Sequence, residues 1–134
     1  MNDLRSNNIL PAWYGVVVGP LLTTAAGQGN LVLEQSSEFE LHEIFGVSTE
    51  DDPNDPQSNN FSVKISDEST GRALSNIRIP QVALCAPAND GYRFLRPVIF
   101  PPLANILCDV LNLSGNTNTI TIVLAGYKIY GAIQ

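Results

Sequence analysis

Phe61-Ser62-Val63-Lys64-Ile65-Ser66 alternates apolar and polar side chains without a break. That period of two marks a strand with one face on a core and the other toward water, the pattern of an antiparallel sheet. Downstream, Ser69-Thr70-Gly71 reads as a turn, followed by short extended pieces through Leu74 and Ile77-Arg78-Ile79 and a longer run from Phe94 to Phe100. Pro97 lies inside that run and cannot donate to a ladder, so an edge strand or a bulge is expected there. Ile106 to Leu113 is apolar on both parities, which predicts a strand covered on both faces. Thr119 to Tyr130 alternates as Ile120, Ile122 and Leu124, then changes phase at Ala125-Gly126. Upstream, Glu38 to Phe45 alternates and slips by one residue, which places a bulge near Glu43 and Ile44. Leu31-Val32-Leu33 follows a turn-rich Gly27-Gln28-Gly29-Asn30, and the β-branched, aromatic run from Trp13 to Gly19 is closed by Gly19-Pro20. No window carries apolar residues at helical spacing over a helix's length. About eight turn-bounded strands predict an all-β antiparallel sandwich or barrel.

The 134 residues fit one domain, 1–134, able to bury a core without metal or disulfide staples. Two segments read as mobile: an N-terminal arm, residues 1–10, and an acidic loop, residues 50–60. Seven basic residues against thirteen acidic ones leave −6 at pH 7, so phosphate backbones and anionic membranes are repelled on average. Neither nucleic acid nor a membrane is therefore an expected partner. Only 15% of residues are charged, which suits a subunit that packs against others. The stretch from Ser6 to Leu33 is uncharged, but Pro11, Gly15, Gly19 and Pro20 interrupt its apolar part, so it reads as mature protein rather than a leader.

Catalysis needs a nucleophile or an acid–base group held by partners. His42 is the one histidine, in a strand lined by Glu40 and Glu43, where an exposed or interface position is expected ahead of a catalytic base. A hydrolase would require His42 to meet Cys85 or Cys108 in the fold, and no local spacing joins them. No nucleophile elbow, phosphate loop or dinucleotide fingerprint is present. Cys85 and Cys108 lack metal-ligand spacing, and Cys108 reads as a small buried hydrophobe. Glu50, Asp51, Asp52, Asn54 and Asp55 carry oxygen ligands of the kind calcium takes, but without an ordered ligand spacing and with two prolines between them; a solvated charge run is expected. The expectation is a non-enzyme with no catalytic residue, cofactor or metal.

Charge and aromatic residues point to contact surfaces instead. Residues 34 to 68 hold ten acids and one base, net −9, whereas residues 69 to 134 hold five bases and two acids, net +3. If these segments form different faces, copies can dock acidic side to basic side, or the acidic side can meet a basic partner. Trp13, Tyr14, Tyr92, Tyr127 and Tyr130 cluster near element ends, as core ends, interface anchors or platforms for sugar rings. Core packing is expected for Trp13, beside Val16-Val17-Val18.

Leu10-Pro11-Ala12-Trp13-Tyr14-Gly15-Val16, Phe61-Ser62-Val63-Lys64-Ile65-Ser66-Asp67 before Gly71-Arg72-Ala73-Leu74, Phe94 to Pro102, Leu111-Asn112-Leu113-Ser114 and Leu124 to Tyr130 together resemble the capsid decoration, or cement, proteins of tailed bacteriophages. The resemblance implies an eight-stranded jelly roll and a non-catalytic role in the virion after synthesis in the host cytoplasm. Its partners would be the major capsid protein and copies of the chain itself, as a homo-oligomer (dimer or trimer). The contact residues expected for that role are aromatic and arginine residues near strand ends: Trp13, Tyr14, Arg72, Arg93, Arg96 and Tyr130. Similar short β-domains occur in phage tail fibres and baseplates, which gives the alternative of a receptor- or carbohydrate-binding module.

Overall fold

The computed structural model describes residues 9–50, 60–80, 92–115 and 117–131. Among them the chain is all β: β1 (Ile9–Leu21), β2 (Ala26–Val32), β3 (Ser37–Glu50), β4 (Phe61–Asp67), β5 (Arg72–Ala73), β6 (Ile79–Pro80), β7 (Tyr92–Phe100), β8 (Asn105–Asn112) and β9 (Asn118–Tyr130). They form two antiparallel sheets, one in the order β1-β9-β3-β7 and one in the order β2-β8-β4-β5 with β6 also on β4. The sheets pack face to face as a β-sandwich. Pairing runs β1 with β9, β2 with β8, β3 with β7 and β4 with β6, and successive pairs alternate between the two sheets.

The period of two explains the core. Phe61, Val63 and Ile65 of β4 point inward with Ile106, Cys108 and Val110 of β8, opposite Val16 and Val18 of β1, Phe39, Leu41 and Ile44 of β3, and Ile120, Ile122 and Leu124 of β9. Removing such side chains from water is the main favourable term in folding. Cys108 is fully buried, and burial pushes its thiol up to about 12, which makes it a small hydrophobe rather than a nucleophile. Cys85 lies outside the described residues, as do residues 1–8 of the expected arm and residues 51–59 of the acidic loop. Ile9 and Leu10 are not part of an arm: they open β1, paired with Ile129 and Lys128.

Two sequence expectations fail for identifiable reasons. Gly27-Gln28-Gly29-Asn30 is strand, not turn. Its glycines face β1, where a Cβ on Gly29 would lie 2.6 Å from Val16 and one on Gly27 would lie 2.7 Å from Leu21. Glycine here serves close approach of the two sheets rather than a bend. β8 is also not covered on both faces: Ile106, Cys108 and Val110 are buried, whereas Leu107, Asp109 and Leu111 are half-buried. The outer side is only partly shielded, in part by Arg78, whose Nη2 donates to Asp109 Oδ1 at 3.1 Å.

Both expected irregularities of the first sheet occur, and they coincide. The slip in β3 falls at His42, the extra residue between Leu41 opposite Gly126 and Glu43 opposite Ala125. On its other side, β7 is the edge strand, and Phe94-Leu95-Arg96-Pro97 loop out between the Val98–Leu41 and Arg93–Glu43 pairs. Pro97 therefore sits both at an edge and in a bulge.

Buried polar side chains close one end of the sandwich. Asn112 Nδ2 donates to the carbonyls of Leu21 (2.9 Å) and Leu22 (3.2 Å), while its Oδ1 accepts from the backbone N–H of Ser114 (3.0 Å) and from its hydroxyl (2.8 Å). One side chain thus ties the β1–β2 turn to the β8–β9 turn, which Thr23 also joins by donating to the Ser114 carbonyl. Asn112→Ala leaves these groups buried without their partner, so a loss of about 2–3 kcal/mol is expected in urea unfolding. The β4–β5 turn is held by Asp67, whose Oδ1 accepts from Ser69 N–H at 3.0 Å and whose Oδ2 accepts from Thr70 Oγ1 at 3.0 Å. Burial works to raise the Asp67 carboxyl, but the Ser69 and Thr70 bonds outweigh it and hold it below the ordinary aspartate value of 3.8. Because its folded value is depressed, its contribution is complete at neutral pH and is lost as pH falls through that lowered value. Wild type is expected to lose thermal stability below pH 3.8 more steeply than Asp67→Asn, as read by thermal melts across the acid range.

Candidate functional site

The outer faces of the two sheets differ in chemistry. On the β2-β8-β4 sheet the outward rows mix polar and apolar residues: Ala26–Leu111–Ser62, Gln28–Asp109–Lys64, Asn30–Leu107–Ser66 and Val32–Asn105, with Val32 exposed. On the β1-β9-β3-β7 sheet the rows read Val17–Thr121–Val47, Gly15–Val123–Phe45, Trp13–Ala125–Glu43–Arg93 and Pro11–Tyr127–Glu40–Ile99. The first two rows carry no charge. Trp13 is 71% exposed, with Val17, Val47 and Tyr127 also exposed. Its position follows from strand parity: Ala12, Val16 and Val18 take the inward places on β1, so Trp13 and Val17 point out. The expectation of core packing for Trp13 is overturned.

The coinciding bulges open a groove of about 330 Å³ in this face, with Trp13, Pro11, Tyr127, His42, Glu43 and Arg93 around a floor of Ala125 and Gly126. The floor is low because its residues are small. Gly126 must lack a side chain, since a Cβ there would overlap the Glu40 carbonyl oxygen and stand 2.9 Å from its carbon. His42, swung out by the bulge, shares a hydrogen bond with Glu40 through Nε2 and Oε1 at 2.7 Å and meets Tyr127 edge to face at 5.1 Å. Arg93 donates from Nε (3.1 Å) and Nη2 (2.5 Å) to the same Glu43 oxygen, Oε1. The groove presents an exposed indole, a phenol, carboxylate acceptors and guanidinium donors around a shallow depression.

The expected contact residues separate into four places. Trp13 and Arg93 come together in the groove. Arg96 is exposed on the neighbouring β7 bulge, beside the fully exposed Leu95. Arg72 is exposed on β5 in the other sheet, where its Nε donates to Thr70 Oγ1. Tyr14 and Tyr130 belong to a cluster on the other side of the first sheet. Tyr14 stands edge to face on Phe39 at 4.9 Å with Lys128 Nζ 5.4 Å from its ring centre. Its hydroxyl is buried with no hydrogen-bond partner among the described residues. Lys128 Nζ donates to Glu34 Oε2 at 3.3 Å and Ser37 to Glu34 Oε1 at 2.8 Å, with Tyr130 also bonded to Glu34. The Ser37 and Tyr130 bonds hold Glu34 below its ordinary value, and the Glu34 bond, then burial, raises Tyr130. Burial alone would lower Lys128, but the Glu34 bond and the charges of Tyr14 and Glu34 raise it. Tyr14 thus packs inward against Phe39, and half-buried Tyr130 is engaged with Glu34.

Glu40, Glu43, His42 and Tyr127 were missed as a group. The slip in β3 and the phase change at Ala125-Gly126 were both visible, and only their pairing brings them to one spot. The chain matches no protein-family model and no curated protein sequence.

Proposed function

We propose that the chain is a non-catalytic virion structural protein, a decoration protein that binds the outside of a phage capsid and bridges coat subunits through the outer face of the β1-β9-β3-β7 sheet. One observation carries the reading: the outer face of this sheet exposes Trp13 (71%) on β1 together with Val17, Val47 and Tyr127, beside two rows without charge. A protein that folds by itself gains nothing from leaving indole and valine side chains in water, whereas exposed aromatic centres are where binding energy concentrates. From strand spacing and rise, three strands over the Ile9 to Val17 rows with β7 beside the rows it pairs amount to roughly 500 Å² of flat surface. That is most of one partner's share of a standard interface, about 800 Å². The pairing of β1 with β9, β2 with β8, β3 with β7 and β4 with β6 supports reading the sandwich as a jelly roll, a single long hairpin rolled up on itself.

A small domain can do this work without chemistry. Whatever binds only the assembled shell adds its binding free energy to that state, and contacts to two or three coat subunits at once raise avidity. Purified protein added to undecorated shells should co-sediment with them and raise their thermal stability; failure to co-sediment removes the reading. The groove beside Trp13 favours one second reading, a carbohydrate-binding module at a tail tip, because indole faces stack on sugar rings. A tail location in the intact particle together with a positive glycan screen would replace the first reading by the second.

A further inference from the structure

We infer that the groove at the β3 bulge is a socket for an arginine side chain of the coat protein, held flat against Trp13 and bonded to Glu43, with Glu40, hydrogen-bonded to the groove's His42, adding negative charge beside it. The inference rests on the reading of this sheet face as the docking surface and specifies the partner's chemistry. Register supplies the first argument. Trp13 and Glu43 are both opposite Ala125, one on each side, so the indole and the carboxylate face each other over a methyl group with about 10 Å between their backbones. A planar cation with donors along its edge fits between a ring face and a carboxylate, satisfying both at once.

Charge supplies the second. Glu38, Glu40 and Glu43 all point to this outer face of β3, and Arg93 pairs with only one of them. Both Arg93 bonds end on Glu43 Oε1, and Glu40 spends Oε1 on His42; the Oε2 atoms of both carboxylates have no donor among the described residues. An incoming guanidinium takes the Glu43 acceptor in the groove without displacing the pairs already made, with the Glu40 carboxylate close by. A neutral sugar would stack equally well on the indole, but it would leave the excess negative charge of the strand uncompensated. The acidic balance therefore favours the cation.

The chain has a single tryptophan, so its emission reports on the groove directly. The probe is acetyl-Gly-Arg-Gly-amide, titrated in parallel with the same peptide carrying citrulline, which keeps the planar shape and removes the charge. The expected result is a saturable change in Trp13 emission with the arginine peptide, binding at least tenfold tighter than the citrulline peptide and weakening several-fold between low and high salt. Glu43→Gln and, separately, Glu40→Gln should each weaken it, in proteins whose circular dichroism is unchanged. Equal response to the two peptides, absence of a saturable response, or a response to a pyranose panel in place of the arginine peptide would each overturn the socket. Shell binding is scored separately: co-sedimentation that ignores salt and both glutamine variants sinks the socket and leaves the decoration reading standing, whereas arginine-peptide binding without co-sedimentation supports the socket and sinks that reading.

Discussion

Replacing Gly126 by alanine is expected to cost about 3 kcal/mol or more, lowering the melting temperature by roughly 10 °C. The added methyl would overlap the Glu40 carbonyl oxygen and come 3.2 Å from the His42 backbone nitrogen, and both belong to backbone, which cannot rotate aside. Relief requires β3 and β9 to separate where the bulge already weakens their ladder. The same substitution at Gly15, on the outer face of β1 with nothing within 4 Å of its Cβ, is the control. Its effect should stay within about 1 kcal/mol and can be favourable, since alanine has less freedom to lose than glycine. A small effect at Gly126 would mean that the two strands do not approach as described, and the floor of the groove would then be wrong as well.

The second large effect is on binding rather than folding. Trp13→Ala removes an exposed side chain that supports no core residue, so urea unfolding should shift by no more than about 1 kcal/mol. Attachment to the partner surface should fall by about 2 kcal/mol or more, some thirtyfold in affinity, because an exposed aromatic anchor in a contact face carries far more than its share. Gln28→Ala, on the outer face of the other sheet, should change neither quantity. Destabilisation by Trp13→Ala with unchanged attachment would return the tryptophan to a structural role.

The strand pattern was legible because alternation is a local property. Phe61, Val63 and Ile65 announce their shared face within six residues, and Pro97 announces an edge or bulge by its missing N–H. The failures came where a residue answers to something distant. Gly27 and Gly29 resemble a turn until Val16, Val18 and Leu21 are known to lie above them. Trp13 looked like core because its neighbours are valines, yet one step of parity puts Val16 and Val18 inside and Trp13 and Val17 outside. Tyr14, one residue on, turned inward for the same reason. The groove needed two signals to be combined, a slip at His42 in β3 and a phase change at Ala125-Gly126 in β9, separated by more than eighty positions in sequence. Arg93 and Glu43 likewise meet only through pairing of β3 with β7.

Hydroxyl-radical footprinting of the protein on undecorated shells, compared with the free protein, tests the docking face directly. Protection is predicted at Trp13, Val17, Val47 and Tyr127, with Gln28, Asn30 and Lys64 as reactive as in solution. Protection of the second group with Trp13 left open, or no difference between bound and free, would contradict the account.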